Sequence, residues 1–142
     1  MATIFQAKHL ASLVFQLDFR TLSDLPGKVI DMNFGKQCED WAAEHAQQML
    51  GLNLVARNVY SRHGELDLIC HDGTQWRFIE VKGRRSDHFG LGLETVSPVK
   101  IRRLKKCISL WMQSKGWGPW SLELWFVTPG PTIEYFELLS CH

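Results

Sequence analysis

The fold turns on one stretch: Glu65-Leu66-Asp67-Leu68-Ile69-Cys70-His71, then Asp72-Gly73-Thr74, then Gln75-Trp76-Arg77-Phe78-Ile79-Glu80-Val81-Lys82. Two alternating runs flank an Asp-Gly pair, the pattern of a β-hairpin. Residues two apart on a strand share a face. Leu66, Leu68 and Cys70 are therefore expected on one face of the first strand, with Glu65, Asp67 and Ile69 on the other. In the second strand Ile79 and Val81 share a face, opposite Phe78, Glu80 and Lys82. A two-residue loop sets Asp67 diagonal to Glu80, and a four-residue loop sets the two directly across from each other. Either way Asp67, Glu80 and Lys82 fall on one side of the sheet.

Opposed side chains in a ladder are about 5 Å apart, and like charges at that distance destabilise the sheet. This face carries Glu65, Asp67 and Glu80 against the single amine of Lys82. Two carboxylates that close can share a cation, and hard oxygen donors with open positions suit Mg²⁺ or Mn²⁺, which bind phosphate oxygens. A lysine beside such an ion would orient a water or stabilise charge on phosphorus. The ordinary alternative is a solvated sheet face on which Glu and Lys alternate. Against it stand the Val, Ile, Leu and Phe content of both strands, the one-sided excess of acid, and the basic stretch that follows.

That basic stretch is local. Arg77 to Lys106 holds nine basic residues against three acidic ones, on a chain whose net charge is +1. Such a patch can track a phosphate backbone, or simply solubilise a surface. Ser97-Pro98 has helix-start chemistry, and the helix should run to about Lys115 and stop at Gly116. Ile101, Leu104, Ile108, Trp111 and Met112 form its apolar stripe, with Arg102, Arg103 and Lys106 pointing away. Lys100 lies at the stripe's border, where its long side chain can present the amine near the sheet.

Further out, Gln37 to Leu50 reads as a helix ending at Gly51, and Leu52 to Ser61 as a strand. Ser121 to Thr128 and Thr132 to Leu138 read as two more strands around Pro129-Gly130-Pro131. Helix, three strands, helix, two strands indicate a mixed sheet flanked by helices, in the α/β or α+β class. Residues 1–33 form an extension of uncertain structure, with a short helix expected within 5–20 and a turn at Leu25-Pro26-Gly27. Residues 34–142 form one domain, in keeping with a chain of 142 residues and 16.4 kDa. Trp117 and Trp120 flank a turn, where packing under the sheet edge is expected over base stacking.

No apolar run approaches the ~18 residues of a membrane span, and no signal peptide is evident. The four cysteines form no CxxC pair, so reduced thiols and a soluble cytoplasmic domain are expected. Neither Cys38 with His45 nor Cys70 with His71 has zinc-site spacing, and no GxxxxGK[ST] loop is present.

Several motifs occur in order: Gly35-x-x-Cys38-Glu39-x-x-Ala42, Arg57-Asn58, Gly64-Glu65-Leu66-Asp67-Leu68-Ile69, Phe78-Ile79-Glu80-Val81-Lys82-x-Arg84, Phe89-Gly90 and Lys100-x-x-Arg103-Leu104. Together they resemble the YraN-like family of bacterial proteins, over about residues 34 to 127. That family is related to the PD-(D/E)xK nucleases and is similar to archaeal Holliday-junction resolvases. The resemblance implies a restriction-endonuclease-like core of helix, three-stranded meander, helix and further strand. It implies Asp67 and Glu80 as metal ligands completed by the Val81 carbonyl, Lys82 as the catalytic lysine, and Glu39 as a supporting acid or second-metal ligand. Lys100 would contact substrate or site. With Arg84, Arg85 and Arg103 it would grip nucleic acid.

No proline precedes Asp67; Leu66 stands there, as is usual in this branch of the superfamily. Cys38 stands where glycine is general, and Ser121-Leu122-Glu123 stands where Arg-Phe-Asp is frequent. The expected function is a Mg²⁺- or Mn²⁺-dependent endonuclease hydrolysing phosphodiesters in DNA, with branched or structured DNA as the candidate substrate. The alternative is a non-catalytic nucleic-acid-binding or partner-docking module on the same scaffold. Resolvases of the superfamily act as dimers, which leaves a homodimer open here.

Overall fold

The turn between the two decisive strands has four residues, Asp72 to Gln75, and its chemistry sets their register. Asp72 Oδ1 accepts bonds from the backbone N–H of Thr74 and Gln75, both at 2.9 Å, and from the Thr74 hydroxyl at 2.8 Å. Gly73 has φ +98°, a conformation that disfavours residues with a Cβ. The computed structural model describes residues 13–14, 33–85 and 96–142. Within them the elements are β1 (Leu13–Val14), α1 (Phe34–Gln48), β2 (Asn53–Ser61), β3 (Gly64–His71) and β4 (Trp76–Gly83), followed by α2 (Pro98–Lys115), β5 (Trp120–Thr128) and β6 (Thr132–Cys141).

The strands form one mixed sheet in the order β1-β6-β5-β4-β3-β2. Every neighbouring pair is antiparallel except β4 and β5, which run parallel and are joined through α2. A parallel pair needs such a crossover, and helices on both faces then bury it. That explains the apolar run of β5, whose residues from Ser121 to Val127 are all buried. The arrangement is a restriction-endonuclease-like α+β core.

Each helix covers one face. Cys38, Ala42, Ala43 and Ala46 of α1 pack on Leu68, Cys70, Ile79, Val81, Trp125 and Val127. On the other face Leu104, Cys107, Ile108 and Met112 of α2 pack on Leu66, Ile69, Phe78 and Leu122. Near the start of α2, Val96 joins Leu124 and Phe126. α2 has the expected bounds because Ser97 accepts from the N–H of Lys100 at 3.1 Å, Pro98 sits in the first turn, and Gly116 adopts φ +93°.

The differences from expectation are local. α1 begins three residues earlier than its apolar period indicates, after Asn33, and ends at Gln48. β6 runs on to Cys141 because it pairs along the whole of β5, Trp120 opposite Cys141. Trp120 belongs to β5 and packs edge-on to Phe78, whereas Trp117 is 65% exposed rather than packed under the sheet. Leu13 and Val14 form a two-residue strand against Ile133 and Thr132, not part of a helix. The rest of the helix expected within 5–20, the turn at Leu25-Pro26-Gly27 and the Phe89-Gly90 motif lie outside the described residues. No helix among the described residues is long and apolar enough to cross a membrane.

Candidate active site

The ladder between β3 and β4 runs from His71 opposite Trp76 to Leu68 opposite Ile79, and there it ends. By the same register the next opposed pair would be Asp67 and Glu80. Asp67 instead turns its carboxylate onto the neighbouring strand, where Oδ2 accepts the Val81 N–H at 2.8 Å. In an antiparallel ladder the N–H and C=O of one residue project toward the same neighbour. The Val81 carbonyl therefore faces the gap that Asp67 occupies.

The strict alternation expected for β3 breaks at this point. Leu68 and Cys70 face α1, but Leu66 packs against α2 with Ile69. The irregularity has a partner on β2, where Asn58 has φ +48° between the paired residues Arg57 and Val59. Asparagine tolerates that conformation far better than branched residues do.

Glu80 lies beside this opening and is 3% exposed. Its Oε1 receives two amines, Lys82 Nζ at 3.2 Å from the same strand and Lys100 Nζ at 3.0 Å from α2. Its Oε2 is buried and has no hydrogen-bond partner. A second buried glutamate shows that this is not the general condition of acids in this sheet. Glu123, 5% exposed, binds Arg77 Nε and Nη2 at 2.6 and 2.7 Å, the Ser121 hydroxyl at 3.0 Å and the Trp125 indole N–H at 2.9 Å. Both Glu123 oxygens are engaged, as a structural buried charge requires. An unpartnered carboxylate oxygen in a buried polar cluster calls for an explanation.

Asp67, 8% exposed, carries the electrostatic consequence. Burial and then the adjacent Glu80 charge push its carboxyl up to about 7, with Glu39 and Glu65 adding to the rise and the Val81 N–H opposing it. Glu39 comes from α1, and its Oε2 accepts one N–H of the Asn58 amide at 2.9 Å. The same amide nitrogen donates to Glu65 Oε1 at 3.0 Å. Asn58 thus holds two carboxylates apart at the rim. Next to it Arg57 Nη2 binds Asp40 Oδ1 at 2.5 Å, fastening α1 to β2. Sequence reasoning gave Asn58 no role, although an asparagine inside a strand pattern is a signal for positive φ.

The predicted set divides accordingly. Asp67, Glu80, Val81, Lys82 and Lys100 meet at the opened end of β3 and β4, and Glu39 stands at the rim through Asn58. Arg84 continues β4 by donating its N–H to Val127 O at 2.8 Å, and its guanidinium lies 3.5 Å from the Phe126 ring centre. Its Nη2 is buried without a partner, beside a cavity of about 110 Å³ that Thr128, Thr132 and Glu134 also line. The Arg85 guanidinium lies 4.7 Å from the Phe34 ring centre. Arg103 is exposed on α2.

A family model described as "Uncharacterised protein family UPF0102" matches residues 38–128, a span that contains Glu39, Asp67, Glu80, Val81, Lys82, Arg84, Arg85, Lys100 and Arg103. The chain belongs to the UPF0102 family. Its UPF0102 relatives include proteins from Shewanella loihica, 49% identical over 79 residues, and Mycolicibacterium vanbaalenii, 45% identical over 74. A third, from Syntrophomonas wolfei, is 44% identical over 77 residues. These matches cover 56%, 52% and 52% of this chain and 68%, 60% and 67% of the relatives. UPF0102 proteins have a PD-(D/E)xK nuclease-like fold.

Among the described residues no three His, Cys, Asp or Glu side chains converge on one point as a ready-made metal cage. Two carboxylates and a backbone carbonyl form a smaller set, of the kind that suits an ion retaining several waters. The unpartnered Glu80 Oε2, the raised Asp67 and the Val81 carbonyl fit such an ion.

Proposed function

We propose that this chain is a Mg²⁺- or Mn²⁺-dependent nuclease that hydrolyses DNA phosphodiesters, with branched or structured DNA as its substrate. The observation that carries the reading is the buried Glu80, bound by two lysines on one oxygen and by nothing on the other, beside a second buried acid. Asp67, Glu80 and the Val81 carbonyl would hold the ion, which supplies a nucleophilic water and polarises the phosphoryl oxygen. Glu39, held by Asn58 on the α1 side, would serve as the supporting acid or second-metal ligand. Lys82 projects from the same strand face as Glu80. Its amine can turn from the carboxylate to hold the attacking water and to screen the negative charge that builds on the phosphoryl group. Lys100 offers a second amine from α2 for the same charge. Arg84, Arg85 and Arg103 would bind phosphates further along the strand.

The test is cleavage of branched and linear DNA with Mn²⁺ by wild type, Asp67→Ala and Lys82→Ala, beside calorimetric titration of wild type and Asp67→Ala with Mn²⁺. Metal binding and cleavage that both vanish in Asp67→Ala support the proposal, and equal cleavage by all three proteins overturns it.

A second reading, a non-catalytic module binding nucleic acid or a partner, draws on the same salt bridges. Two amines on Glu80 neutralise much of the site's charge without any ion. On that reading DNA affinity survives Asp67→Ala, falls steeply with salt, and no strand is cut.

A further inference from the structure

The turn between β2 and β3 faces α2 across a cavity of about 90 Å³, lined by His63, Glu65, Lys100, Arg103 and Cys107. That is several times the ~10–15 Å³ a single water needs, room enough for a phosphate group. Lys100 is common to this notch and to the Glu80 ion pair, so one side chain separates the notch from the candidate catalytic acids. The walls are fixed. The Ser61 hydroxyl and the Cys107 thiol are 3.3 Å apart, and Gly64 packs its open face toward Cys107.

The cations around it, Lys100 and Arg103 in the lining and Arg62 and Lys106 nearby, outnumber its one acid, Glu65. Arg62 and Lys106 are close enough that, after partial desolvation, their charges hold the His63 imidazole below its usual range. Arg62, Arg103 and Lys106 are all exposed, and among the described residues none has a carboxylate partner. His63 Nε2 accepts from Arg62 Nε at 3.1 Å, which leaves the ring proton on Nδ1 as a donor. The one acid in the wall, Glu65, is held by Asn58.

We propose that this notch is a phosphate subsite, in which His63 and Arg103 of its lining seat a backbone phosphate of the DNA strand beside the one at the acids, with the exposed Arg62 and Lys106 outside the lining adding to the attraction. The inference rests on the nuclease reading and adds the β2–β3 turn to the substrate path. The strand would then pass from Lys82 over Lys100 toward the turn, along the N-terminal half of α2.

The test is fluorescence anisotropy with a labelled single-stranded oligonucleotide in EDTA, with and without a 5′-phosphate. It compares wild type, the double variant Arg62→Gln/Lys106→Gln, and Lys115→Gln, which removes a cation from the far end of α2. The double variant should bind about tenfold more weakly and lose about 1.4 from the salt slope, two single-strand contacts' worth. Lys115→Gln should bind as wild type does. On adding the trinucleotide pTpTpT, the ring nitrogen signals of His63 should move in wild type. A gain of tenfold or more from the 5′-phosphate assigns the notch to a strand end, and no gain assigns it to an internal phosphate. If wild type binds but the double variant and Lys115→Gln bind alike and His63 does not move, the notch proposal falls while the nuclease reading stands. If wild type binds no oligonucleotide at all, the notch proposal falls, and the nuclease reading is decided by the cleavage assay on branched DNA with Mn²⁺.

Discussion

Val81 gives its backbone N–H to the carboxylate of Asp67 at 2.8 Å, where an adjoining strand would ordinarily offer a carbonyl. The acid is thereby built into the sheet's own bonding at the point where the sheet opens, and its charge is held in a buried place.

That relationship separates two variants of Asp67. Asparagine keeps an oxygen for the Val81 N–H and removes the buried charge, whereas alanine leaves the N–H without its partner, at a cost of about 1–3 kcal/mol. The Asp67 carboxyl is raised from 3.8 to about 7. Its contribution to stability is therefore fully present below about pH 3.8 and is lost as pH rises through 7. Asp67→Asn should melt above wild type at pH 8, by on the order of 2 kcal/mol or roughly 5 °C, and the gap should close toward pH 4. Asp67→Ala should melt below Asp67→Asn at every pH. Mn²⁺ should raise the wild-type melting temperature more at pH 8 than at pH 5, because protons compete for the same oxygen, and should leave both variants unmoved. Differential scanning fluorimetry across pH, with and without Mn²⁺, reads all of this.

His45 works in the opposite direction. It is 6% exposed on the inner face of α1, edge-on to Trp125 at 5.7 Å, and its Nε2 has no partner. Burial lowers its pKa below the ordinary 6.5. The neutral imidazole contributes stability that is present above about pH 6.5 and lost as pH falls below it. His45→Leu, similar in volume, should flatten the loss of melting temperature between pH 6.5 and 5 relative to wild type while leaving the Asp67 slope in place. Parallel curves for the two proteins would count against this account.

The hairpin, its face and α2 were legible because they follow from short-range rules. Asp72-Gly73 sets a turn, period-two alternation sets faces, and Ser97-Pro98 with Gly116 sets helix ends. Lys100 was placed near the sheet from its angle alone, and its amine lies 3.0 Å from Glu80. What escaped depends on contacts far apart in the chain. The fastening of Glu39 and Glu65 through Asn58 joins α1, β2 and β3, and no local period contains it. The facing of Leu66 was misjudged because a side chain, Asp67, replaces a ladder bond and breaks the alternation. Glu123 was visible only as a departure from the family, and its meaning required Arg77 on a strand paired with it in space.

Lys82 and Lys100 share one oxygen, so removing either leaves Glu80 partly compensated. The side chains are 39% and 36% exposed, and solvent screens each pair, so each single Lys→Met change should cost about 1 kcal/mol without metal. The double change leaves an unpaired buried carboxylate and should cost more than the sum of the two, about 3 kcal/mol or above. Both singles should bind Mn²⁺ more tightly, because an amine no longer competes for Glu80. Only Lys82→Met should abolish cleavage, whereas Lys100→Met should slow it. Urea melts and calorimetric titrations on the three variants decide the matter. Additive stability losses would show that the lysines do not act on a common oxygen.

The surroundings of Cys38 say what its side chain does. It is fully buried on α1 against Gly83, the residue after Lys82, and its thiol points toward Val127 O at 3.9 Å. A Cβ added at Gly83 would lie 2.7 Å from Cys38 Sγ and 2.8 Å from Phe34 Cε1, closer than packed atoms approach. Gly83→Ala should therefore force α1 outward or push the end of β4 aside, at a cost of about 1–3 kcal/mol. Because Lys82 and Arg84 flank this glycine, the same change should weaken cleavage and DNA binding as well as stability. Cys38→Gly in the Gly83→Ala background removes one of the two clashes and should recover part of the lost stability. Alone, Cys38→Gly should destabilise through the lost packing and the glycine it introduces within a helix. A double-mutant cycle by urea denaturation measures the coupling. A coupling energy near zero would mean that Phe34, not Cys38, holds β4 and α1 at their distance.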